Sequence, residues 1–440
     1  MNLDIDIQAA AANPQQLEQL YQTAKQEGLK EKFQSVLVTC YEATPDNLLY
    51  AAWFYRLQTT PEQTKPRRDV NWLTAVLLSI FTGLIFWALS DVENLTFYDD
   101  LPLLLIWWSP IATMSALVFL ALTAKNNYGR SLALGLGLAA ITAYAILLTP
   151  LLDSTWKSQQ YVGLALIHIP LLCWIALGIS ILGFKSSAAD RFAFLKKSIE
   201  VLIVAGLYLI FGMIFGGITV GMFAALSIEL PEIWMRLIVA GGLGLLPVMA
   251  VATVYDPTVP PSAQNFDQGL SQFIATMMRL LLPLTLGVLV IYVFIIPFNF
   301  AEPFNNRDVL IVYNLMLFGI LGLLLGATPI RGDDLSLTMQ KWLRNGILAV
   351  AILAVLVSIY ALSATVYRTI EGSLTMNRLT IIGWNTINIG ILLWLVYTQF
   401  KNGRNQWLDS LQSVFSRATN AYMVWGVFLI IAVPLLFSII

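Results

Sequence analysis

The sequence predicts an all-α protein: a polytopic membrane helix bundle of about eleven spans, preceded by a small helical unit. Three observations carry this. From Asn71 to Ile440 the chain is a nearly unbroken series of apolar stretches cut by short polar loops. Stretches of about 18 or more apolar residues are long enough to cross the roughly 30 Å hydrocarbon core of a bilayer as helices. Of the 440 residues, 58% are hydrophobic and 12% charged, where a soluble globular chain carries about 25% charged residues. The charges are also sorted by loop, which the formal net charge of −1 conceals.

Residues 1–58 read as a separate helical unit. Gln15–Lys25, Leu29–Tyr41 and Asp46–Leu57 each have helical spacing, punctuated by Gly28 and Pro45. Asn13-Pro14 and Thr44-Pro45 place a polar residue and then proline at a helix start. Leu17 and Leu48 follow these prolines at the same offset, a weakly tetratricopeptide-like spacing. Such arrays need about three repeats, so a small helical cap is the plainer reading. This unit is where a cytoplasmic protein partner is expected, and residues 59–70 form the linker. Nothing resembles a cleavable signal peptide, so the first span is expected to act as an uncleaved membrane signal.

The eleven spans are Asn71–Ser90, Leu101–Thr123, Ser131–Leu152, Tyr161–Gly183, Ile199–Ala225, Ile233–Tyr255, Phe273–Pro297, Val309–Ala327, Leu343–Tyr367, Leu379–Phe400 and Ala421–Ile440. Lys and Arg collect before the first span (Arg56, Lys65, Arg67, Arg68) and in alternate loops (Lys125, Arg130; Lys185, Arg191, Lys196, Lys197; Arg331, Lys341, Arg344; Lys401, Arg404, Arg417). The intervening loops carry acids, among them Asp91, Glu93, Asp99, Asp100, Glu229 and Glu232. The positive-inside rule then places the N-terminus in the cytoplasm and the C-terminus outside the inner membrane. The sixth loop, Asp256–Gln272, lacks Lys and Arg and is rich in proline, so it reads as an extended connector.

Two cytoplasmic loops have the pattern of interfacial helices. Trp407, Leu408, Leu411, Val414 and Phe415 share a helical face, and Leu337, Met339, Trp342 and Leu343 lie beside Lys341 and Arg344. Such helices lie flat at the headgroups. Gly212/Gly216, Gly217/Gly221 and Gly322/Gly326 make G-x-x-x-G, for which packing within the bundle is expected. Pro110, Pro170, Pro247 and Pro283 fall inside spans, where freed carbonyls need new partners.

Chemistry-bearing motifs are sparse. No metal, nucleotide or nucleophile motif occurs, so no cofactor is expected, and neither is a nucleic-acid partner. Cys40 and Cys173 form no CxxC pair. No span has an acid near its centre, which argues against a common ion-coupled pump. The even-numbered spans run from outside to inside, and their polar residues recur at one depth: Ser109, His168, Asn314, Asn385 and Asn388, with Arg236 shallower. At 1.5 Å per residue the depth is roughly 10–15 Å. Asn385 and Asn388 are three apart and share a face. Either these six residues line an outward-facing polar cavity, or each hydrogen-bonds a neighbouring helix. His168 is the only histidine and cannot alone build a metal site.

The segment Arg368-Thr369-Ile370-Glu371-Gly372-Ser373-Leu374-Thr375-Met376-Asn377-Arg378 precedes the tenth span. Thr375 or Asn377 is placed to cap that helix. Arg368 and Arg378 are expected to pair with outer acids such as Glu371 or to meet lipid phosphate. The segment resembles a signature of a bacterial family of polytopic membrane proteins, domain-of-unknown-function family 4153. That signature is Arg, then Tyr-Gly-Leu-Thr, a variable residue and Asn-Arg at a helix head. Arg368, Leu374, Thr375, Asn377 and Arg378 fit it, and Gly372-Ser373 stands where Tyr-Gly is expected. The resemblance implies location in a membrane and no chemistry.

Three functions are compatible with this sequence. The first is a scaffold or sensor whose N-terminal unit docks a partner. The second is a facilitator or transporter of a small polar solute through the cavity. The third is a lipid-modifying enzyme, which lacks paired carboxylates, an activated nucleophile or a metal cluster.

Overall fold

The computed structural model describes residues 3–26, 29–59, 70–98, 100–152, 154–266, 269–332, 335–402 and 406–439. Gly28, Asp99, Arg404 and the expected linker, apart from Thr59 and Val70, lie outside the described residues. The chain divides into two compact units, Met1–Asp69 and Val70–Ile440.

The first unit consists of helices α1 (Leu3–Ala9), α2 (Pro14–Gln26), α3 (Lys30–Ala43) and α4 (Leu48–Thr59). Helix α1 is additional to the three expected. Its Leu3 and Ile7 lie on one face, four residues apart, and both are fully buried with Leu17, Phe33 and Leu37. Asn13 caps α2 as expected, its Oδ1 accepting from Gln16 N at 3.2 Å. Helix α4 starts later than Thr44-Pro45 suggests. Asn47 is its cap, with Oδ1 accepting from the amides of Leu49 (2.9 Å) and Tyr50 (3.2 Å) while Nδ2 donates to Ala11 O. An amide that serves two elements at once outcompetes proline as the start signal.

Among the described residues, the second unit contains eleven helices long and apolar enough to cross a membrane. They are α5 (Trp72–Leu89), α6 (Leu104–Ala124), α7 (Tyr128–Leu151), α8 (Thr155–Leu182), α9 (Ala188–Ala225), α10 (Glu232–Val254), α11 (Gly269–Asn299), α12 (Arg307–Ala327), α13 (Leu337–Gly372), α14 (Met376–Lys401) and α15 (Trp407–Ile439). Span one corresponds to α5 and span eleven to α15. The loop after α5 folds into a small antiparallel hairpin, β1 (Thr96–Tyr98) and β2 (Leu101–Pro102), which the sequence pattern did not announce.

Several helices outrun their predicted spans, α9, α13 and α15 among them. The expected interfacial helices are the first turns of α13 and α15, not separate elements. Trp407, Leu411, Val414 and Phe415 are buried in the main core rather than turned toward headgroups. Helix α9 has 38 residues, about 57 Å at 1.5 Å per residue, so it exceeds the hydrocarbon core. Its start carries the cap signal Ser187-x-x-Asp190, and Ser187 Oγ accepts from Asp190 N at 3.0 Å.

The core has two main parts. Leu282, Leu324, Ile347, Val350, Leu392 and Leu395 join α11–α14 to the starts of α9 and α15. Tyr161, Ile169, Leu429 and Val433 join α6–α8 to the far half of α15. A third contact sets α5 against α10. A π turn at Leu237–Gly241 brings two glycines of α10 against Gly83. A Cβ on Gly83 would lie 2.7 Å from Gly241 O, and one on Gly244 only 2.6 Å from Gly83 Cα. Backbones can approach so closely only without side chains. The expected G-x-x-x-G pairs pack only in part: Cβ atoms on Gly212, Gly217, Gly221 and Gly322 would meet nothing within 4 Å, whereas one on Gly216 would lie 3.4 Å from the Ile238 side chain and one on Gly326 2.9 Å from that of Met278.

Gly244→Leu is therefore expected to destabilise the bundle by about 1–3 kcal/mol, the usual cost of overpacking. Gly217→Leu should leave stability unchanged. Thermal melts of both variants in detergent, followed by circular dichroism, check this.

Candidate functional site

The polar residues predicted at one depth converge in part. Ser109, His168, Asn385 and Asn388 expose 4%, 4%, 3% and 0% of their surface, so each faces protein. Trp384 Nε1 donates to His168 Nε2 at 2.9 Å, and His168 Nδ1 lies 2.8 Å from Leu164 O. An indole N–H only donates. Nε2 is therefore the acceptor, Nδ1 carries the proton to the carbonyl, and the imidazole is neutral. The Trp384 ring also meets Tyr422 edge-on at 5.2 Å, and Tyr422 OH donates to Asn388 Oδ1 at 2.7 Å. A polar seam thus ties α8 to α14 and α14 to α15. Ser109 joins from α6 through Cys173, whose thiol lies 3.7 Å from its hydroxyl. The seam leaves Asn385 Nδ2, Asn388 Nδ2 and, on α13, Ser358 Oγ buried without partners among the described residues. Each such group costs about 1–3 kcal/mol.

Asn314 and Arg236 stand apart. Half-buried Asn314 lies one turn from Phe318 on α12, and that ring meets Trp384 edge-on at 5.6 Å. Helix α12 therefore reaches the seam through an aromatic ring. Arg236 clasps α10 to the end of α5: it donates to Ser90 Oγ and to Trp87 O, both at 3.2 Å, and pairs with Asp91 at 3.3 Å. Trp87 Nε1 returns a bond to Ile233 O at 3.0 Å. Both nitrogens of His168 are engaged and Arg236 is held by an acid. The arrangement supplies helix-to-helix bonding and no acid–base pair.

The segment before α14 is a cap. Thr375 Oγ1 accepts from Arg378 N at 3.2 Å, and Arg378 Nη1 donates to Ser373 O at 2.6 Å. Asn377 N donates to Gln160 Oε1 on α8 at 3.4 Å. Neither Arg368 nor Arg378 forms an ion pair with Glu371 among the described residues; Tyr367 OH donates to that carboxylate instead. Leu374 is exposed. Ser373 has φ +79° and ψ 155°, a region that suits glycine.

Two features lie at the end of the bundle where Lys and Arg collect. The first is a buried charge cluster in the early turns of α9. Lys196 Nζ donates to Gly326 O at 2.6 Å and Arg279 Nε to Ala327 O at 3.3 Å, placing two cations on the final carbonyls of α12. Lys197 Nζ pairs with Glu200 at 2.7 Å and donates to Asn265 O and Ser271 Oγ. These lysines read as loop residues in the sequence; the Ser187-x-x-Asp190 cap was the signal that the helix had already begun. The second is a pocket of about 550 Å³ between the α6–α7 corner, the end of α8 and the α10–α11 loop. A smaller pocket of about 270 Å³, lined by Tyr98, Gln159 and Leu166, lies at the opposite end. None of the six predicted residues lines either pocket.

Comparison with protein-family models, with curated proteins and with solved structures finds no match to this chain.

Trp384→Phe should destabilise by about 1–3 kcal/mol, since it strands a buried acceptor. A double-mutant cycle with His168→Leu should show coupling of about 1 kcal/mol. Ser373→Gly should stabilise by about 1 kcal/mol through relief of the positive φ. Thermal unfolding of the purified variants measures all three.

Proposed function

We propose that this chain is a multi-pass inner-membrane scaffold or sensor, in the membrane location that the family resemblance implies, and that it engages ligands or partners at its Lys/Arg-rich face. The observation that carries the reading is the buried seam: His168, Asn388 and Ser109 of the even spans bond side chains on neighbouring helices, Trp384, Tyr422 and Cys173. By the positive-inside rule the Lys/Arg-rich end faces the cytoplasm, with residues 1–58 on the same side and the C-terminus outside. Ser373 adds support for the resemblance, because it occupies the family's glycine position with a glycine-like φ.

The N-terminal unit supplies a docking surface. Tyr41 stacks on Phe54 at 4.4 Å, Tyr55 packs edge-on to both and is 56% exposed, and Leu48 is 85% exposed. Exposed apolar patches of this kind mark sites of protein contact. The proposed engagement therefore has two separate components, a protein surface on this unit and the pocket among the loops of the second unit. The facilitator reading rests on a separate observation, the partnerless amides of Asn385 and Asn388, which a polar solute would satisfy.

Cysteine accessibility separates the two. In a Cys40→Ser background, Cys173 and an introduced Asn385→Cys should resist a membrane-impermeant maleimide from both faces of sealed vesicles. Labelling from the outer face would replace the scaffold reading with the facilitator one.

A further inference from the structure

We propose that the pocket at the Lys/Arg-rich end binds a phosphate group, carried either by a lipid headgroup or by a soluble phosphate ester. The inference rests on the reading above, that this face is the one that engages ligands. The volume of about 550 Å³ falls within the range of small-molecule sites and exceeds what a phosphate alone fills. Leu120, Val259 and the Tyr255 ring give the pocket an apolar side for the group that carries the phosphate.

The hydrogen-bonding surplus of the polar side is in donors. Asn126 Oδ1 is occupied by Asn127 N at 2.7 Å, which leaves its Nδ2 to donate. Ser131 and Ser180 hydroxyls lie 3.0 Å apart; one donates to the other, so one proton is left. Ser186 Oγ accepts from Arg191 Nε at 2.9 Å and keeps its own proton. The acids nearby are already engaged. Asp190 accepts from Ser187 Oγ at 2.7 Å and from Ser262 N at 3.2 Å, and Asp256 accepts from Thr258 N and Oγ1 at 2.9 and 2.6 Å.

Charge points the same way. Lys125, Arg130, Lys185 and Arg191 line or adjoin the pocket wall, against Asp190 and Asp256. Arg130 is held by Ser180 O and Arg191 by Ser186, so they set the field. Lys185 is exposed on the lining and has no carboxylate partner among the described residues. It is the contact cation, in the role lysine plays at phosphate sites. A cationic ligand would meet the wrong sign, and a neutral one would leave the excess charge unused.

The test uses the full chain purified in a neutral maltoside detergent, with three probes: dioctanoyl phosphatidylglycerol, glycerol 3-phosphate, and dioctanoylglycerol as the phosphate-free control. Saturable binding of a phosphate-bearing probe, but not of dioctanoylglycerol, is expected by titration calorimetry. Lys185→Glu should weaken it about tenfold, while Lys401→Glu, a reversal at the same end outside the pocket, should not. Binding of phosphatidylglycerol alone identifies a lipid source; binding of glycerol 3-phosphate as well identifies a soluble one. Equal binding of dioctanoylglycerol, equal loss in both charge reversals, or no saturable binding overturns the proposal. Such a failure with Cys173 still unlabelled leaves the scaffold reading intact, whereas labelling of Cys173 removes that reading itself.

Discussion

The bond from Trp384 to His168 fixes how the two halves of the bundle meet. It joins α8, in one core, to α14, whose far residues Leu392 and Leu395 belong to the other. An unpaired imidazole between apolar helices would cost several kcal/mol, so the register of α8 against α14 follows from satisfying one ring. Tyr422 and Asn388 extend the same requirement to α15, the helix that runs through both cores. Apolar packing alone tolerates sliding between helices; a hydrogen bond 2.9 Å long does not.

The glycine crossing of α5 and α10 is a complementary constraint. It rests on shape, and the Arg236 clasp closes its end with charge. Helix α9 illustrates what neither constraint covers. Little of its apolar stretch is buried, yet its first turns hold the buried Lys197–Glu200 pair and buried Lys196. One helix thus combines an anchored, polar start with a long apolar remainder, and Ser187 and Asp190 at that start line the pocket.

Much of the fold was legible because hydrophobic length is a robust signal. The eleven long apolar helices, the Asn13 cap, a cap at Thr375 or Asn377, and the grouping of His168 with the Trp384–Asn388 stretch were readable from spacing. What was not legible depended on neighbours. G-x-x-x-G at Gly217 and Gly221 has the right local pattern, but Gly83, Gly241 and Gly244 make the contact, and Gly83 belongs to no motif. Lys196 and Lys197 read as loop cations because charge moves a helix boundary outward in a hydropathy pattern. Their partners, Gly326 and Asn265, are distant in sequence. The face of Trp407 and Phe415 read as lipid-facing because periodicity locates an apolar stripe without saying what covers it. The pocket was invisible for the same reason: its wall comes from three loops, none distinctive alone.

These contrasts bear on where activity resides. A polar group deep in a helix bundle can mark a pathway or hold helices together, and sequence depth alone does not separate the two. Here the imidazole has both nitrogens occupied and is neutral, so it offers neither a charge nor a lone pair to a passing solute. The loops at the basic end differ in each respect. Their acids are engaged, their hydroxyls and an amide retain donors, and an exposed lysine stands among them. Rigid helices that present donors from several loops are a general arrangement for ligand binding. In the proposed function the seam acts indirectly: by locking α8 against α14 and α15, it holds Ser180 at the end of α8, and Lys185 just beyond it, in place at the pocket.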